Sequence, residues 1–159
     1  MALLACTTWV NAQAQQQLAD LVSEAKAEWM LGKWEAQTDN GSTLVLGIAW
    51  DLDKHVVVFH GKGTDMEFKG YSALEPGSGE VKYTGFDNRG VITKGVWGME
   101  ADELVLRVES QTPDRGSRKM AVVFTGNATE GLQVRLHQLN DSGGLVSPAR
   151  TTYKFKKQK

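Results

Sequence analysis

The chain is poor in cysteine and proline, and neither sign of charge is in excess. It has one cysteine and three prolines in 159 residues, so no internal disulfide can form and packing must hold the core. Its 18 basic and 19 acidic side chains give a net charge of −1, which provides no attraction for nucleic acid or an anionic membrane. A hydrophobic content of 41% and a charged content of 23% exclude a disordered chain and a transmembrane protein.

Motifs that carry chemistry are also missing. There is no Gly-x-Ser-x-Gly nucleophile elbow, no phosphate-binding glycine loop, no His-Glu-x-x-His and no Cys-x-x-Cys, so no cofactor is expected. Asp51, Asp53 and His55 alternate as metal ligands on a strand would, but such residues are typical of a hairpin turn, so we expect no metal site. His60 and His137 fall on polar strand positions, where we expect solvated rings.

The first residues have the features of a targeting segment. An apolar run over residues 3–10 precedes Ala12-Gln13-Ala14, a small-x-small cleavage pattern, so residues 1–14 are predicted to be a shortened signal peptide and the protein to be periplasmic or secreted. Leu3-Leu4-Ala5-Cys6 resembles a lipobox, and lipid attachment at Cys6 is the second interpretation. An apolar arm that docks on the domain is the third. Residues 15–159 are predicted to form one domain.

One helix is predicted, at the start of this domain. From Gln15 to Met30, apolar residues recur with helical spacing and form a single stripe, while Gly32 suits a helix end. The stripe consists of Leu18, Leu21, Val22, Ala25 and Trp29. No later segment has this period, so a helix-plus-strand domain is expected.

Turn signals divide the remainder of the chain into about ten short segments. Each contains residues that accept a left-handed backbone or bond their own main chain. They lie at 39–41, 51–54, 62–65, 75–79, 87–90, 100–103, 113–116, 126–131 and 140–144. Because no helix separates the segments, consecutive strands should pair antiparallel.

Within these segments, apolar and polar residues alternate. One face is apolar and the other is polar, which is typical of a sheet packed on one side and wet on the other. The apolar positions include Leu44, Leu46, Ile48 and Trp50, and later Leu132, Val134 and Leu136. Closing such a meander removes its two edges, so we predict an all-β, up-and-down barrel of about ten antiparallel strands with one N-terminal α-helix. A two-sheet sandwich fits the same alternation and stays open as the alternative.

Several short motifs carry a family resemblance over roughly residues 29–156. Leu31-Gly32-Lys33-Trp34 looks like the Gly-x-Trp signature of lipocalin-type barrels. The longer pattern resembles lipocalin-like (calycin-type) secreted bacterial domains of the DUF1579-like group. Its motifs are Trp29–Trp34, Gly47–Asp51, Gly70-Tyr71, Tyr83–Gly90 and Gly95–Trp97. The resemblance implies that Trp34 closes the barrel floor under a late-strand arginine, for which Arg150 is the candidate.

Large aromatic side chains dominate the predicted interior. A barrel of about ten strands is wide enough for a small guest molecule, and rings suit an apolar or aromatic one. We therefore expect non-catalytic binding of a small hydrophobic molecule, with Trp50, Phe59, Tyr83, Trp97 and Phe124 as lining residues. One alternative is a barrel hydrolase or isomerase with His60 or His137 as general base. Another is an envelope interaction module that uses an outer sheet face.

Overall fold

The computed structural model describes residues 16–114, 116–127, 129 and 131–158. The predicted signal segment, residues 1–14 with Cys6, lies outside the described residues. The strands are β1 (Gly32–Gln37), β2 (Thr43–Asp51), β3 (Val56–Lys62), β4 (Glu67–Leu74), β5 (Val81–Asp87), β6 (Ile92–Glu100), β7 (Glu103–Thr112), β8 (Gly116–Asn127), β9 (Gly131–Gln138) and β10 (Thr151–Lys157). Each pairs antiparallel with its sequence neighbours, and β1 pairs with β10, so the barrel is closed. The predicted barrel is confirmed and the sandwich is excluded.

The strand register places the predicted apolar face inside the barrel. Ile48 on β2 pairs with Phe59 on β3, and Trp97 on β6 pairs with Leu106 on β7. These four side chains belong to one hydrophobic core together with most of the other predicted interior residues. The nine predicted turns fall at or beside the nine strand connections. Alternation and turn chemistry therefore determine which side chains enter the barrel.

The N-terminal helix is shorter than predicted. Helix α1 spans Leu18–Glu24, and a separate 3₁₀ turn spans Glu28–Met30. Between them, Lys26 takes a left-handed conformation with φ 50°, and the Ala27 N–H donates to the Val22 carbonyl at 2.9 Å. A hydrogen bond from an N–H to the carbonyl five residues earlier is typical of a helix that ends at a residue with a left-handed backbone. Within the described residues, no helix has the length and apolar character needed to cross a membrane.

The outer face is not wet throughout. The connection from β9 to β10 is long, and it folds back over the outside of β7, β8 and β9. It buries a second apolar cluster that consists of Val105, Ala121 and Val123, against which Leu139 and Leu145 pack. His137 lies under the same connection and is only 5% exposed, so the expectation of a solvated ring is wrong for it. The alternation identified the outer face correctly but could not reveal the segment that covers it.

Trp34 anchors the barrel where α1 leads into the first strand. The side chain is fully buried, and its Nε1–H donates to the Met30 carbonyl at 2.7 Å. Its strand partner across the β1–β10 seam is Lys157, whose Nζ lies 5.2 Å from the centre of the tryptophan ring. This cation–π contact takes the place expected for Arg150, which is exposed at the start of β10. Trp34 is thus fully buried, and the cation beside it is Lys157 from the end of the last strand, not Arg150 as expected.

Replacing Trp34 should destabilise the fold strongly. Trp34→Ala removes a large buried ring and its hydrogen bond, and such a change typically costs about 3–5 kcal/mol of unfolding free energy. Urea unfolding followed by circular dichroism measures this cost. The matched control is Trp50→Ala, the same truncation at a tryptophan that is only partly buried. An equal or larger cost at Trp50 would contradict the anchoring role of Trp34.

Candidate functional site

A cavity of about 510 Å³ lies between α1 and the barrel wall, at the end of the barrel where the chain enters β1. We call it the helix-end cavity. The barrel contributes apolar side chains from β2, β3, β6 and β7, together with the β4–β5 hairpin. The barrel residues that line it are Leu31, Ile48, Val57, Phe59, Ser72, Gly79, Glu80, Val81, Trp97, Gly98, Met99 and Leu104. A cavity of this size and lining is typical of a site for a small apolar molecule.

Helix α1 and the turn that follows it form the remaining wall. Leu18, Leu21, Val22 and Ala25, four members of the predicted apolar stripe, line the cavity, whereas Trp29 packs against the core without lining it. Leu18 is 2% exposed and fastens the helix to the barrel. The amphipathic spacing thus positions the helix with its apolar face inward, and this face covers the cavity without filling it.

Four aromatic rings form one contiguous layer inside the barrel. Phe59 stacks on Trp97 with ring centres 5.8 Å apart, and Trp97 lies 5.2 Å from Phe124 in a tilted arrangement. Tyr83 meets Phe59 edge-on at 5.8 Å. Such offset and edge-to-face contacts are favourable geometries for aromatic pairs. Phe59 and Trp97, two members of the layer, line the helix-end cavity, and we call this part of its lining the floor.

A single hydrogen bond holds the orientation of Trp97. Its indole Nε1–H donates to the Ser72 hydroxyl at 2.8 Å, which links β6 to β4 across the intervening strand. Ser72 is 3% exposed and lines the same cavity. A buried N–H without a partner is costly, so Ser72 allows the indole to point inward.

Tyr83 fits because two glycines face it. A Cβ at either Gly70 on β4 or Gly85 on β5 would overlap the Tyr83 ring or hydroxyl. The ring therefore occupies space that the missing side chains leave free. Burial away from water raises the pKa of Tyr83 to about 12, because it disfavours the charged phenolate.

Of the five predicted lining residues, two line the cavity and three do not. Phe59 and Trp97 line it directly. Tyr83 and Phe124 belong to the aromatic layer beneath them. Trp50 is partly buried and packs against the core, outside the cavity lining. The prediction omitted the helix residues and Ser72, and the helical stripe was the signal that could have identified the former.

Neither candidate histidine faces the cavity. His60 is exposed on the outside of β3, where its Nε2 lies 2.8 Å from Glu67 Oε1. That hydrogen bond, with help from Lys62, lowers the pKa of Glu67. His137 donates from Nδ1 to the Val146 carbonyl at 2.9 Å, and its buried Nε2 has no hydrogen-bond partner in the described part of the chain. The general-base hypothesis requires a histidine beside a pocket, and the geometry gives it no support.

The alternating Asp51, Asp53 and His55 lie in the β2–β3 hairpin. The Asp51 carboxylate accepts a hydrogen bond from the Leu52 N–H at 2.7 Å, as expected for a turn residue. Asp53 has a left-handed backbone with φ 51°. Among the described residues, no group of three or more potential metal-ligating side chains comes together.

Comparisons of the chain with protein-family models, with curated proteins and with solved structures found no match in any of the three. The functional argument therefore depends on the geometry of the cavity.

Removing the Ser72 hydroxyl should destabilise the protein through Trp97. Ser72→Ala leaves the indole N–H without its acceptor, which typically costs about 1–3 kcal/mol of unfolding free energy. In a Trp97→Phe background the same change should cost less, because no N–H remains to be satisfied. A double-mutant cycle by urea unfolding measures the coupling. Additive costs would show that the bond does not contribute to stability.

Alkaline pH should weaken the fold through Tyr83. The folded-state pKa of about 12 lies above the ordinary value of 10.0, so between these pH values the unfolded chain releases a proton that the folded one keeps. The contribution of Tyr83 to stability is therefore constant below pH 10 and falls above it, by about 1.4 kcal/mol per pH unit up to about pH 12.

Tyr83→Phe should remove this part of the alkaline loss, whereas the control Tyr71→Phe, at an exposed tyrosine, should not. Urea unfolding at a series of pH values measures the loss, and tyrosinate absorbance identifies the late-titrating group among the three tyrosines. Equal alkaline profiles for both variants would contradict the burial argument.

Proposed function

We propose that this protein binds a small hydrophobic or aromatic molecule in the helix-end cavity and catalyses no reaction on it. The observation that carries the proposal is the unfilled volume of about 510 Å³ beneath α1. Its walls are almost entirely apolar, and its floor presents the rings of Phe59 and Trp97. A solid interior would have removed the basis for a guest molecule; here an unfilled cavity lies beside the packed rings.

We further propose that the chain is a lipocalin-like domain of the DUF1579-like group and that it acts in the periplasm or outside the cell. Support for the family comes from the closed antiparallel barrel and from Gly32 and Trp34 at the junction of helix and first strand. The cation from the last strand over Trp34 adds to this support. Support for the location is limited to the signal-like pattern of residues 1–14.

An outer-face interaction module is the second candidate. Three exposed apolar side chains lie on the outside of β4, β5 and β6: Tyr71, Phe86 and Ile92, which are 45%, 51% and 39% exposed. Phe86 and Ile92 are direct strand partners, so part of this patch is contiguous. Exposed apolar groups of this kind favour contact with another macromolecule. The helix-end cavity is the stronger feature, because α1 and the barrel wall both contribute lining residues to it.

Filling the cavity from the helix should abolish binding. Ala25, the residue that follows the last residue of α1, lines the cavity, whereas Ser23 on α1 is exposed and does not line it. The neutral apolar fluorophore N-phenyl-1-naphthylamine should bind the wild-type protein with a blue-shifted, enhanced emission. Ala25→Trp should weaken this binding by about tenfold or more, because the indole takes the space of the guest.

The matched control is Ser23→Trp, which adds the same indole to the solvent side of α1 and should bind the fluorophore like wild type. Circular dichroism melting verifies that both variants fold. A folded wild-type protein that gives no fluorescence change would refute the proposed function. Equal affinities for the two variants would place the binding elsewhere on the protein.

A further inference from the structure

The Ser72 hydroxyl is the buried polar group at the floor of the helix-end cavity. Its oxygen accepts the Trp97 indole N–H at 2.8 Å, while its own hydrogen makes no hydrogen bond within the described part of the chain. Ser72 is 3% exposed and lines the helix-end cavity, so this hydrogen is reached from the cavity and not from the outer surface of the barrel. A buried donor without an acceptor favours any guest that brings one.

The charge of the lining restricts the guest further. Among the described residues that line the cavity there is no lysine, arginine or histidine. Its two ionisable members are glutamates, Glu24 and Glu80, and Glu80 pairs with Lys82 at 2.5 Å. A carboxylate or phosphate guest would lose its hydration without gaining a cationic partner, and it would meet like charge at the rim.

We infer that the guest is an uncharged apolar molecule with a carbonyl, ether or hydroxyl oxygen at its inner end, which accepts a hydrogen bond from Ser72. This inference depends on the proposed function, since it names the chemical class of molecule for the same cavity. Trp97 has two roles in it. Its ring supports the apolar body of the guest, and its N–H occupies the Ser72 oxygen, so that the serine acts as the donor toward the guest. The hydrogen bond from Ser72 to the guest therefore gives an oxygen-bearing guest a higher affinity than a hydrocarbon of equal shape.

Three naphthalene compounds of similar shape test this class. They are 2-acetylnaphthalene, 2-ethylnaphthalene and 2-naphthoate: a ketone, its hydrocarbon counterpart and a carboxylate. Displacement of N-phenyl-1-naphthylamine or direct calorimetry gives their affinities. The ketone and the hydrocarbon should bind the wild-type protein, and the carboxylate should bind at least about tenfold more weakly than the ketone, because its charge is buried without a partner.

Two groups can donate a hydrogen bond to the guest, the Ser72 hydroxyl and the Trp97 indole N–H. Ser72→Ala alone would free the indole N–H to bond the guest, so the test uses variants that remove the two donors one after the other. Trp97→Phe keeps an aromatic ring and leaves the Ser72 hydroxyl as the donor, so the affinity ratio of ketone to hydrocarbon should stay close to that of wild type. The double variant Ser72→Ala with Trp97→Phe has no donor left. Its ratio should be lower by about tenfold than that of Trp97→Phe alone.

The control is Ser110→Ala, the same chemical change on β7, where Ser110 bonds Thr93 outside the cavity lining. It should leave the ratio unchanged. The infrared carbonyl stretch of the ketone bound to wild-type protein provides a measurement that needs no variant. It should lie below its frequency in hexane, because a hydrogen bond weakens the C=O bond.

The outcomes separate the two proposals. If the ketone and the hydrocarbon both bind but their ratio is the same in Trp97→Phe and the double variant, the Ser72 inference is wrong and the proposed function stands. If the affinity ratio of ketone to hydrocarbon already falls in Trp97→Phe, the donor is the indole N–H and the Ser72 inference is wrong. A carbonyl stretch equal to that in hexane would also overturn the inference. If none of the three compounds binds the folded wild-type protein, both proposals fail.

Discussion

The packing of Trp34 connects the three parts of the molecule on which everything else depends. Its indole N–H donates to the Met30 carbonyl in the 3₁₀ turn that follows α1, and its backbone lies in β1. Its ring contacts the Nζ of Lys157, the last residue of β10. The seam between β1 and β10 is short, with Trp34–Lys157 and Glu35–Lys156 as its paired residues. One buried ring therefore joins the closure of the barrel to the placement of the helix. The cavity exists because the helix is held at this position.

Ring size and glycine placement then decide where the lumen is full and where it is empty. Phe59, Tyr83, Trp97 and Phe124 come from four different strands and meet in one layer. Gly70 and Gly85, which lie beside the Tyr83 side chain, leave the space that its ring occupies. Beside the layer, α1 and the residue that follows it contribute leucine, valine and alanine side chains, which line the cavity and leave its volume unfilled. Close packing in the middle and a gap near the end are thus consequences of the same set of side chains.

The sequence predicted the fold well because turn chemistry and two-residue alternation are local signals. Every predicted turn has a counterpart, and Leu46, Ile48 and Leu106 point inward as expected. The early end of α1 at Glu24 was missed, since its apolar stripe continues through Ala25 while Lys26 turns the backbone left-handed. The burial of His137 was missed for a different reason: its cover comes from a distant connection. The site was half predicted, because alternation indicates that Phe59 and Trp97 face inward but not how far each lies along the barrel axis. Ser72 became visible only through its bond to Trp97.

The polar groups inside the barrel favour the proposal that the gap is a binding site over a defect of packing. A core that merely lacks atoms is lined by apolar groups alone, and its emptiness lowers stability without any compensating specificity. Here the buried Ser72 hydroxyl accepts a hydrogen bond from the Trp97 indole, and this bond orients the indole ring. Both side chains line the cavity. Orienting polar groups in an otherwise apolar pocket is how small-molecule sites gain selectivity. A molecule that fills the gap binds only the folded chain, so its binding free energy adds to the stability of the barrel and offsets the cost of leaving that volume empty.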